Sequence, residues 1–247
     1  MKKIYGKTAC LADGGTNYCP GCGHGLIQKL CLEVIEEMGL MEQAVFAASV
    51  GCHGMAPVYV NIDAFNAQHG RIPSNAEAFK ACSPDSILLV YQGDGDAVSI
   101  GMNETVNTAY RGAPLTVIMA NNSNFGMTGG QLAPTTLHGA ITKTTKYGNP
   151  YYPIRTAELV ATLEAPDYVA RCSVHDVKHA LQFKKAVEHG LRCQMEGKYS
   201  FIEVLSNCPT SGGIKPEKYK EYCEETLLKV FPLGEFKRDG VRIEGGK

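Results

Sequence analysis

Residues 87–96, ILLVYQGDGD, join a short apolar run to a loop of alternating glycine and aspartate. The run from Ile87 to Tyr91 predicts a buried strand, and the pattern from about Ala97 to Tyr110 predicts a helix after the loop. Glycines here let backbone N–H groups approach a phosphate, and a helix N-terminus favours negative charge. Two carboxylates next to a phosphate repel it unless a cation such as Mg²⁺ lies between them. The stretch therefore predicts a strand–loop–helix unit for a metal-bound phosphate, with an ordinary turn as the alternative.

Three other apolar runs also end in loops rich in glycine, asparagine, serine or cysteine. These runs cover residues 44–50, 115–120 and 201–205, and helical patterns cover 24–38 and 177–195. Strands that alternate with helices predict an α/β fold, a parallel sheet with helices on both faces. Ligands of such sheets bind beyond the carboxyl ends of the strands, which makes these loops the expected site.

Length and composition bound the class of protein. The chain has 247 residues, 44% hydrophobic and 20% charged, with a formal net charge of −1. This balance is typical of a globular protein and gives no electrostatic reason to expect a nucleic-acid or membrane partner. No apolar run reaches the ~18–20 residues of a membrane span, and the first five residues lack the apolar stretch of a signal peptide, so we expect a cytoplasmic protein. We expect residues 1–210 to form the α/β domain and 211–247 a C-terminal extension at a subunit interface.

A second polar loop supplies candidate partners for Asp94. Asn122 follows Asp94 by 28 residues, at the end of the next predicted strand, so one helical crossover would bring the two side by side. Asn124 lies two residues further on and could offer its backbone carbonyl oxygen. This arrangement resembles the thiamine-diphosphate motif, in which an Asp, an Asn and a carbonyl hold Mg²⁺ on the diphosphate.

The chain contains ten cysteines, which in a reducing compartment indicate metal ligands or reactive thiols before disulfides. Cys19 and Cys22 form a C-x₂-C pair, and Cys52 and Cys208 lie at predicted strand ends in the same layer of loops. Four thiolates can bind zinc or an iron–sulfur cluster, and ligand type alone does not decide. The position of Cys52 next to the predicted diphosphate loop favours an electron acceptor. The remaining six are interpreted as small core or surface residues: Cys10, Cys31, Cys82, Cys172, Cys193 and Cys223.

Together these residues resemble the β subunits of 2-oxoacid:ferredoxin oxidoreductases over roughly residues 15–235. The matching stretches are CPGCGHG (19–25), VGC (50–52), HGR (69–71), GDGD (93–96), FGMTGGQLAPTT (125–136) and SNCPT (206–210). The resemblance implies the diphosphate-binding domain of a thiamine-diphosphate-binding fold.

The resemblance also implies three bound groups. A [4Fe-4S] cluster is expected on Cys19, Cys22, Cys52 and Cys208. Mg²⁺ is expected on Asp94, Asn122 and the carbonyl of Asn124. The residues expected to line thiamine diphosphate are Val50, Gly51, Cys52, His53, Gly93, Gly95, Asp96, Gly126 and Met127.

The reaction implied by the resemblance is the oxidative decarboxylation of a 2-oxoacid with coenzyme A, which yields acyl-CoA and CO₂ and passes electrons through the cluster to ferredoxin. The activating glutamate and the pyrimidine-binding domain are expected on an α subunit, so the chain alone should be inactive. A γ subunit and a ferredoxin-like δ subunit are further expected partners. Segment 152–168 is most similar to the 2-oxoisovalerate type, which makes a branched-chain 2-oxoacid the expected substrate. 2-Oxoglutarate and pyruvate are the alternatives.

The catalytic residues stay open. His24 and His53 each adjoin a candidate ligand cysteine and are candidates for proton transfer, although hydrogen bonding or tuning of the cluster is the simpler interpretation. His69 and Arg71 are either structural or face a partner. The remaining histidines are expected at solvated positions: His138, His175, His179 and His189.

Three other functions are weighed against this one. A non-oxidative thiamine-diphosphate enzyme would use Asp94 and Asn122 but has no use for four cysteines. A zinc-binding interaction module would explain the C-x₂-C pair but neither polar loop. A nicotinamide dehydrogenase would need a G-x-G-x-x-G loop after a strand, and no predicted strand has one.

Overall fold

Eight strands form one sheet in this computed structural model, which describes residues 6–243. The strands in chain order are β1 (Ala44–Ala48), β2 (Asp63–Asn66), β3 (Ile87–Gly93), β4 (Thr116–Asn121), β5 (Tyr168–Ser173), β6 (Ser200–Leu205), β7 (Gly234–Arg238) and β8 (Val241–Arg242). Their order across the sheet is β2-β1-β3-β4-β6-β5-β7-β8. The first six pair in parallel, and β7 and β8 are antiparallel to their neighbours.

Helices cover both faces of this sheet. They are α1 (Gly23–Glu37), α2 (Ile72–Cys82), α3 (Met102–Arg111), α4 (Thr156–Ala161), α5 (Val177–Met195), α6 (Tyr219–Tyr222) and α7 (Leu228–Val230). One core holds the buried side chains of α1 and α5, and a second core holds those of α2, α3 and α4. The predicted α/β fold, a mostly parallel sheet between two helical layers, is confirmed.

Alternation along the central strands explains why they are apolar throughout. In β1, Phe46 belongs to the core under α1 and α5, whereas Val45 and Ala47 belong to the core under α2–α4. Successive side chains of a strand point to opposite faces, and here both faces are buried. Such strands show continuous apolar runs, the signal on which their prediction depends.

Several elements were not predicted. β2 is a mostly exposed edge strand with no apolar run. β5 contains Arg171, a charged residue that interrupts its apolar pattern although it is 1% exposed. The predicted helix over 97–110 is divided into a π-helical segment, Asp96–Ile100, and α3. Gly101 lies at the junction, where an added Cβ would come within 2.4 Å of the Gly70 carbonyl oxygen.

The C-terminal segment contributes to the sheet. Its strand β7 pairs with β5, and residues of 219–231 form a third apolar cluster with Leu205. A role for 211–247 at a subunit interface stays a prediction. Residues 1–5, which carry the expectation about a signal peptide, and residues 244–247 lie outside the described residues. Within residues 6–243, no helix combines the length and apolarity needed to cross a membrane.

Candidate functional site

Loops after β1, β3 and β4 meet beyond the carboxyl ends of these strands and form one cleft. Its lining contains every residue predicted for thiamine diphosphate and for Mg²⁺: Val50, Gly51, Cys52, His53, Gly93, Asp94, Gly95, Asp96, Asn122, Asn124, Gly126 and Met127. The structure also places His24, His69, Phe125 and Thr128 in this lining. Parallel strands bring their carboxyl ends to one edge of a sheet, which explains why residues far apart in sequence converge here. The individual roles of these residues stay predictions.

Asp94 follows β3 and is buried, with 2% of its surface exposed. Its carboxylate accepts a 3.0 Å hydrogen bond from the Gly95 N–H and another from the Thr135 hydroxyl. Burial raises the pKa of Asp94 to about 7, against the lowering effect of the Thr135 hydrogen bond. A bound cation would compensate for the desolvation of this carboxylate, so Asp94 suits a metal ligand. Thr135 was not singled out from the sequence, although it lies in the stretch 125–136 that carries the resemblance.

The loop after β4 contains a buried side-chain oxygen that has no hydrogen-bond partner in the part of the chain that the structure describes. The Asn124 side-chain amide donates to the Asn122 carbonyl at 2.8 Å, and the Asn124 N–H donates to the Asn122 side chain at 3.3 Å. Asn124 Oδ1 is buried and has no hydrogen-bond partner among residues 6–243. The sequence prediction assigned the backbone carbonyl of Asn124 to the metal, whereas the unpaired atom is this side-chain oxygen. Buried polar atoms are rarely left unpaired, and an amide oxygen is a suitable Mg²⁺ ligand.

The carboxylate of Asp96 contacts polar groups of four other residues. Its carboxylate accepts hydrogen bonds from the Ser49 hydroxyl, from the Gln92 amide at 3.1 Å and from the Gly70 N–H at 2.6 Å, and it contacts the His69 ring. Burial would raise the pKa of Asp96, but the His53 ring together with the Ser49 and Gln92 hydrogen bonds lowers it to about 2. The carboxylate is therefore ionised, and it holds the loops after β1, β2 and β3 together.

Both candidate catalytic histidines are buried beside the cleft. His24 Nδ1 lies 2.6 Å from the Tyr91 hydroxyl, and burial, with a smaller effect of His53, lowers the pKa of His24 to about 3. His53 Nε2 lies 3.2 Å from the Ser49 hydroxyl and 3.6 Å from a carboxylate oxygen of Asp96. These contacts account for a structural role of both residues, and proton transfer by either stays a prediction.

The other histidines and Arg71 lie in different surroundings. Arg71 forms an ion pair with Glu104 at the surface. His138 is exposed, as predicted. The expectation of a solvated position is wrong for His175, whose side chain is fully buried because the C-terminal segment packs over it. His189 is partly exposed, and its ring packs on Tyr168 with ring centroids 4.5 Å apart.

The four cysteines predicted as cluster ligands lie close enough to influence one another. Burial raises the pKa of Cys22 to about 12 and that of Cys52 to about 11, and the charges of the other cysteines contribute to both. The Gly23 N–H donates to the Asn207 carbonyl at 3.3 Å, which joins the C-x₂-C turn to the loop of Cys208. A cationic metal centre would offset the cost of ionising these buried thiols.

Comparison with known proteins identifies the family. Residues 49–204 match the family described as "Thiamine pyrophosphate enzyme, C-terminal TPP binding domain". The 2-oxoglutarate synthase subunit KorB of Archaeoglobus fulgidus is 34% identical over 93% of this chain and 80% of its own length. The chain belongs to the β-subunit family of 2-oxoacid:ferredoxin oxidoreductases.

Relatives of this β subunit carry two kinds of name. The ketoisovalerate oxidoreductase subunit VorA of Methanothermobacter thermautotrophicus is 40% identical over 99% of this chain and 52% of its own length. The chain thus spans about half the length of the VorA relatives that it matches. A 2-oxoglutarate:ferredoxin oxidoreductase from Magnetococcus marinus, solved with 2-oxoglutarate, coenzyme A and succinyl-CoA bound, shares the fold with a TM-score of 0.79 and 22% identity. That match covers 96% of this chain and 86% of the other.

Proposed function

We propose that this chain is the cofactor-binding subunit of a complex that oxidatively decarboxylates a 2-oxoacid, with coenzyme A as acyl acceptor and ferredoxin as electron acceptor. The observation that carries the proposal is one cleft that contains the buried carboxylate of Asp94, the unpaired oxygen of Asn124 and the thiol of Cys52. Oxygen ligands for a diphosphate-bound metal and a sulfur ligand for a redox centre therefore occur in the same site. The proposal includes a cytoplasmic location.

Asp94, Asn122 and Asn124 would hold Mg²⁺, and the glycines of the cleft leave room for the diphosphate. A Cβ on Gly95 would come within 2.4 Å of the Phe125 ring, so no larger side chain fits between this loop and the aromatic wall. Thiamine diphosphate, when bound, supplies the carbanion and the electron sink that decarboxylation of a 2-oxoacid requires. The residues of this chain would bind and orient thiamine diphosphate, and the burial of Asp94 would exclude water from its carboxylate.

Cys19, Cys22, Cys52 and Cys208 would hold a [4Fe-4S] cluster, which would supply one-electron transfer next to the cofactor. The two sites meet at Gly126, where an added Cβ would lie 3.1 Å from Cys208 Sγ and 3.4 Å from Asn124 Oδ1. This proximity supports the oxidative reaction over a non-oxidative one.

A partner subunit would complete the site. Val50 and Met127, both in the lining of the cleft, are 50% and 51% exposed, an arrangement that suits a surface covered by another chain. We assign the pyrimidine-binding domain and the activating glutamate to an α subunit, with γ and ferredoxin-like δ subunits as further partners. A branched-chain 2-oxoacid such as 2-oxoisovalerate is the proposed substrate, and 2-oxoglutarate and pyruvate are the alternatives.

The test is the metal and cofactor content of the chain purified without oxygen together with its co-purifying subunits. We expect about four iron and four sulfide per chain, and thiamine diphosphate that is released by a Mg²⁺ chelator. Asp94→Asn should abolish Mg²⁺-dependent cofactor binding, whereas the exposed Asp85→Asn should not. Cys208→Ser should lower the iron content, whereas the exposed Cys82→Ser should not.

Two results would contradict the proposal. Zinc in place of iron in protein never exposed to oxygen would make the cysteines structural. Full cofactor binding by Asp94→Asn would remove the metal assignment. With the complete complex, ferredoxin reduction is then compared for 2-oxoisovalerate, 2-oxoglutarate and pyruvate, and the highest kcat/KM identifies the substrate.

A further inference from the structure

A second cluster of metal-ligating side chains lies outside the cleft, where β5 leads into α5. His175, Asp176 and His179 each place one ligand atom within 4.8 Å of the others, and within residues 6–243 they are the one group of three His, Cys, Asp or Glu side chains with this spacing. None of them lines the cofactor cleft. The spacing His-x₃-His was visible in the sequence, but these histidines were interpreted as solvated.

Helix capping explains only part of this arrangement. Asp176 is the N-cap of α5, and its Oδ1 accepts a 2.9 Å hydrogen bond from the His179 N–H. The same oxygen lies 2.7 Å from His179 Nδ1. The second carboxylate oxygen, Oδ2, faces His175 Nε2 at 3.7 Å, which is too long for a hydrogen bond. The cap therefore leaves one oxygen of Asp176 directed at His175.

His175 presents an unpaired nitrogen to this oxygen. Its side chain is fully buried, and its Nδ1 lies 2.7 Å from the Ser173 hydroxyl. Its Nε2 has no hydrogen-bond partner among the described residues and lies 3.8 Å from a carboxylate oxygen of Glu224. An unpaired imidazole nitrogen between two carboxylates is the environment that a bound cation would satisfy.

We propose that His175, Asp176 and His179 bind a divalent transition-metal ion such as Zn²⁺, with Glu224 or water in the remaining coordination position. Two imidazoles and a carboxylate suit Zn²⁺, whereas Mg²⁺ and Ca²⁺ prefer sites made of oxygen alone. His179 also lines a cavity of about 590 Å³, from which water can reach the ion.

One cation already lies near the proposed site. Lys220 Nζ is 3.6 Å from Asp176 Oδ2 and 3.8 Å from the Glu224 carboxylate. Its side chain is 57% exposed and can move into solvent when an ion binds. Glu224 belongs to the π-helical turn Cys223–Leu227, so an ion that uses it would tie the C-terminal segment to the start of α5. Metal binding should therefore stabilise the fold, and it depends neither on thiamine diphosphate nor on the cluster.

The test compares Zn²⁺ binding by the metal-free 247-residue chain and by three variants. Asp176→Asn keeps an N-cap acceptor but removes the charged ligand, and His179→Gln removes an imidazole that is 19% exposed. His138→Gln removes an exposed histidine outside the cluster and is the matched control. We expect both site variants to bind one Zn²⁺ fewer per chain than wild type and the control to match wild type. Zn²⁺ should also raise the Tm of wild type and control more than that of either variant.

Equal Zn²⁺ stoichiometry and equal Tm shifts in all four proteins would overturn the proposal. Zn²⁺ that binds to Cys19, Cys22, Cys52 and Cys208 in such an experiment does not affect the comparison, because these cysteines are present in every variant. Titration with Co²⁺ gives an independent measurement. Thiolate ligands add strong near-ultraviolet charge-transfer bands, which the His–Asp site lacks. The two variants should therefore keep the near-ultraviolet bands of wild type and lose only the part of the visible absorption that the His–Asp site contributes. Failure of the cofactor proposal would leave this result unchanged.

Discussion

The buried carboxylate of Glu203 accepts a 2.7 Å hydrogen bond from the side-chain amide of Asn121. Its other oxygen accepts from Arg171 Nε at 2.9 Å and from the Ala157 N–H at 3.1 Å. One residue of β6 thus fixes the last residue of β4, the central arginine of β5 and the start of α4. Asn121 immediately precedes the loop of Asn122 and Asn124, so this network positions the proposed metal ligands without contacting them.

Glu203→Ala should strongly destabilise the fold. Arg171 would keep only the Glu158 carboxylate, and removal of one partner from a buried ion pair costs about 3–5 kcal/mol. The free energy of unfolding, measured by urea denaturation, should fall by this amount. Glu196→Ala removes a surface partner of Lys198 and should change it by less than about 1 kcal/mol. Equal effects of the two substitutions would contradict the role given to Glu203.

Stability should fall in acid because of His24. Its pKa is about 3 in the folded chain and ~6.5 when unfolded, so protons bind preferentially to the unfolded state below pH 6.5. The contribution is complete above pH 6.5 and is lost as the pH falls toward 3, with about 2 kcal/mol lost between pH 7 and pH 5. Urea unfolding of His24→Gln should show a smaller loss over this range, and His138→Gln should keep the wild-type loss. A wild-type loss in His24→Gln would show that other groups cause it.

Gly126→Ala should impair both proposed centres at once. The added Cβ would lie 3.1 Å from Cys208 Sγ and 3.4 Å from Asn124 Oδ1, so one or both must move. We expect a lower iron content and an affinity for thiamine diphosphate reduced by about tenfold, equivalent to ~1.4 kcal/mol. Gly15→Ala, where an added Cβ meets nothing within 4 Å, is the matched control. Unchanged iron content and unchanged cofactor binding in Gly126→Ala would contradict the inference that both centres adjoin Gly126.

Asp96→Asn should destabilise the cleft although it conserves shape. The ionised carboxylate accepts from the Gln92 amide and the Gly70 N–H, and an amide nitrogen in place of one oxygen would face a donor. Loss of a hydrogen bond to a charged group costs about 1.5–3 kcal/mol. Thermal unfolding should show a lower Tm than in Asp85→Asn, the exposed control. An identical Tm in the two variants would mean that the donors around Asp96 contribute little.

Prediction from sequence succeeded where the signal was local. The apolar runs that form β1, β3, β4 and β6 have both faces buried. Each of these strands ends in a loop at the carboxyl edge of the sheet, where the candidate site lies. β5 was missed because Arg171 interrupts its apolar pattern, and its charge is compatible with burial only through Glu203 and Glu158, which lie elsewhere in the chain. Similarly, the polar edge strand β2 has no pattern that distinguishes it from a loop.

The sequence by itself determined the α/β class, the order of the central elements and the residue types at the cleft, because periodicity and short motifs are properties of neighbouring residues. Only the tertiary structure decided which polar atoms lack partners. Among residues 6–243, Asn124 Oδ1 and His175 Nε2 have no hydrogen-bond partner, whereas Asp96 accepts from several donors that lie on segments distant in the chain. Hydrogen bonding and burial depend on three-dimensional proximity, and for this reason the second candidate metal site was recognised only in the folded chain.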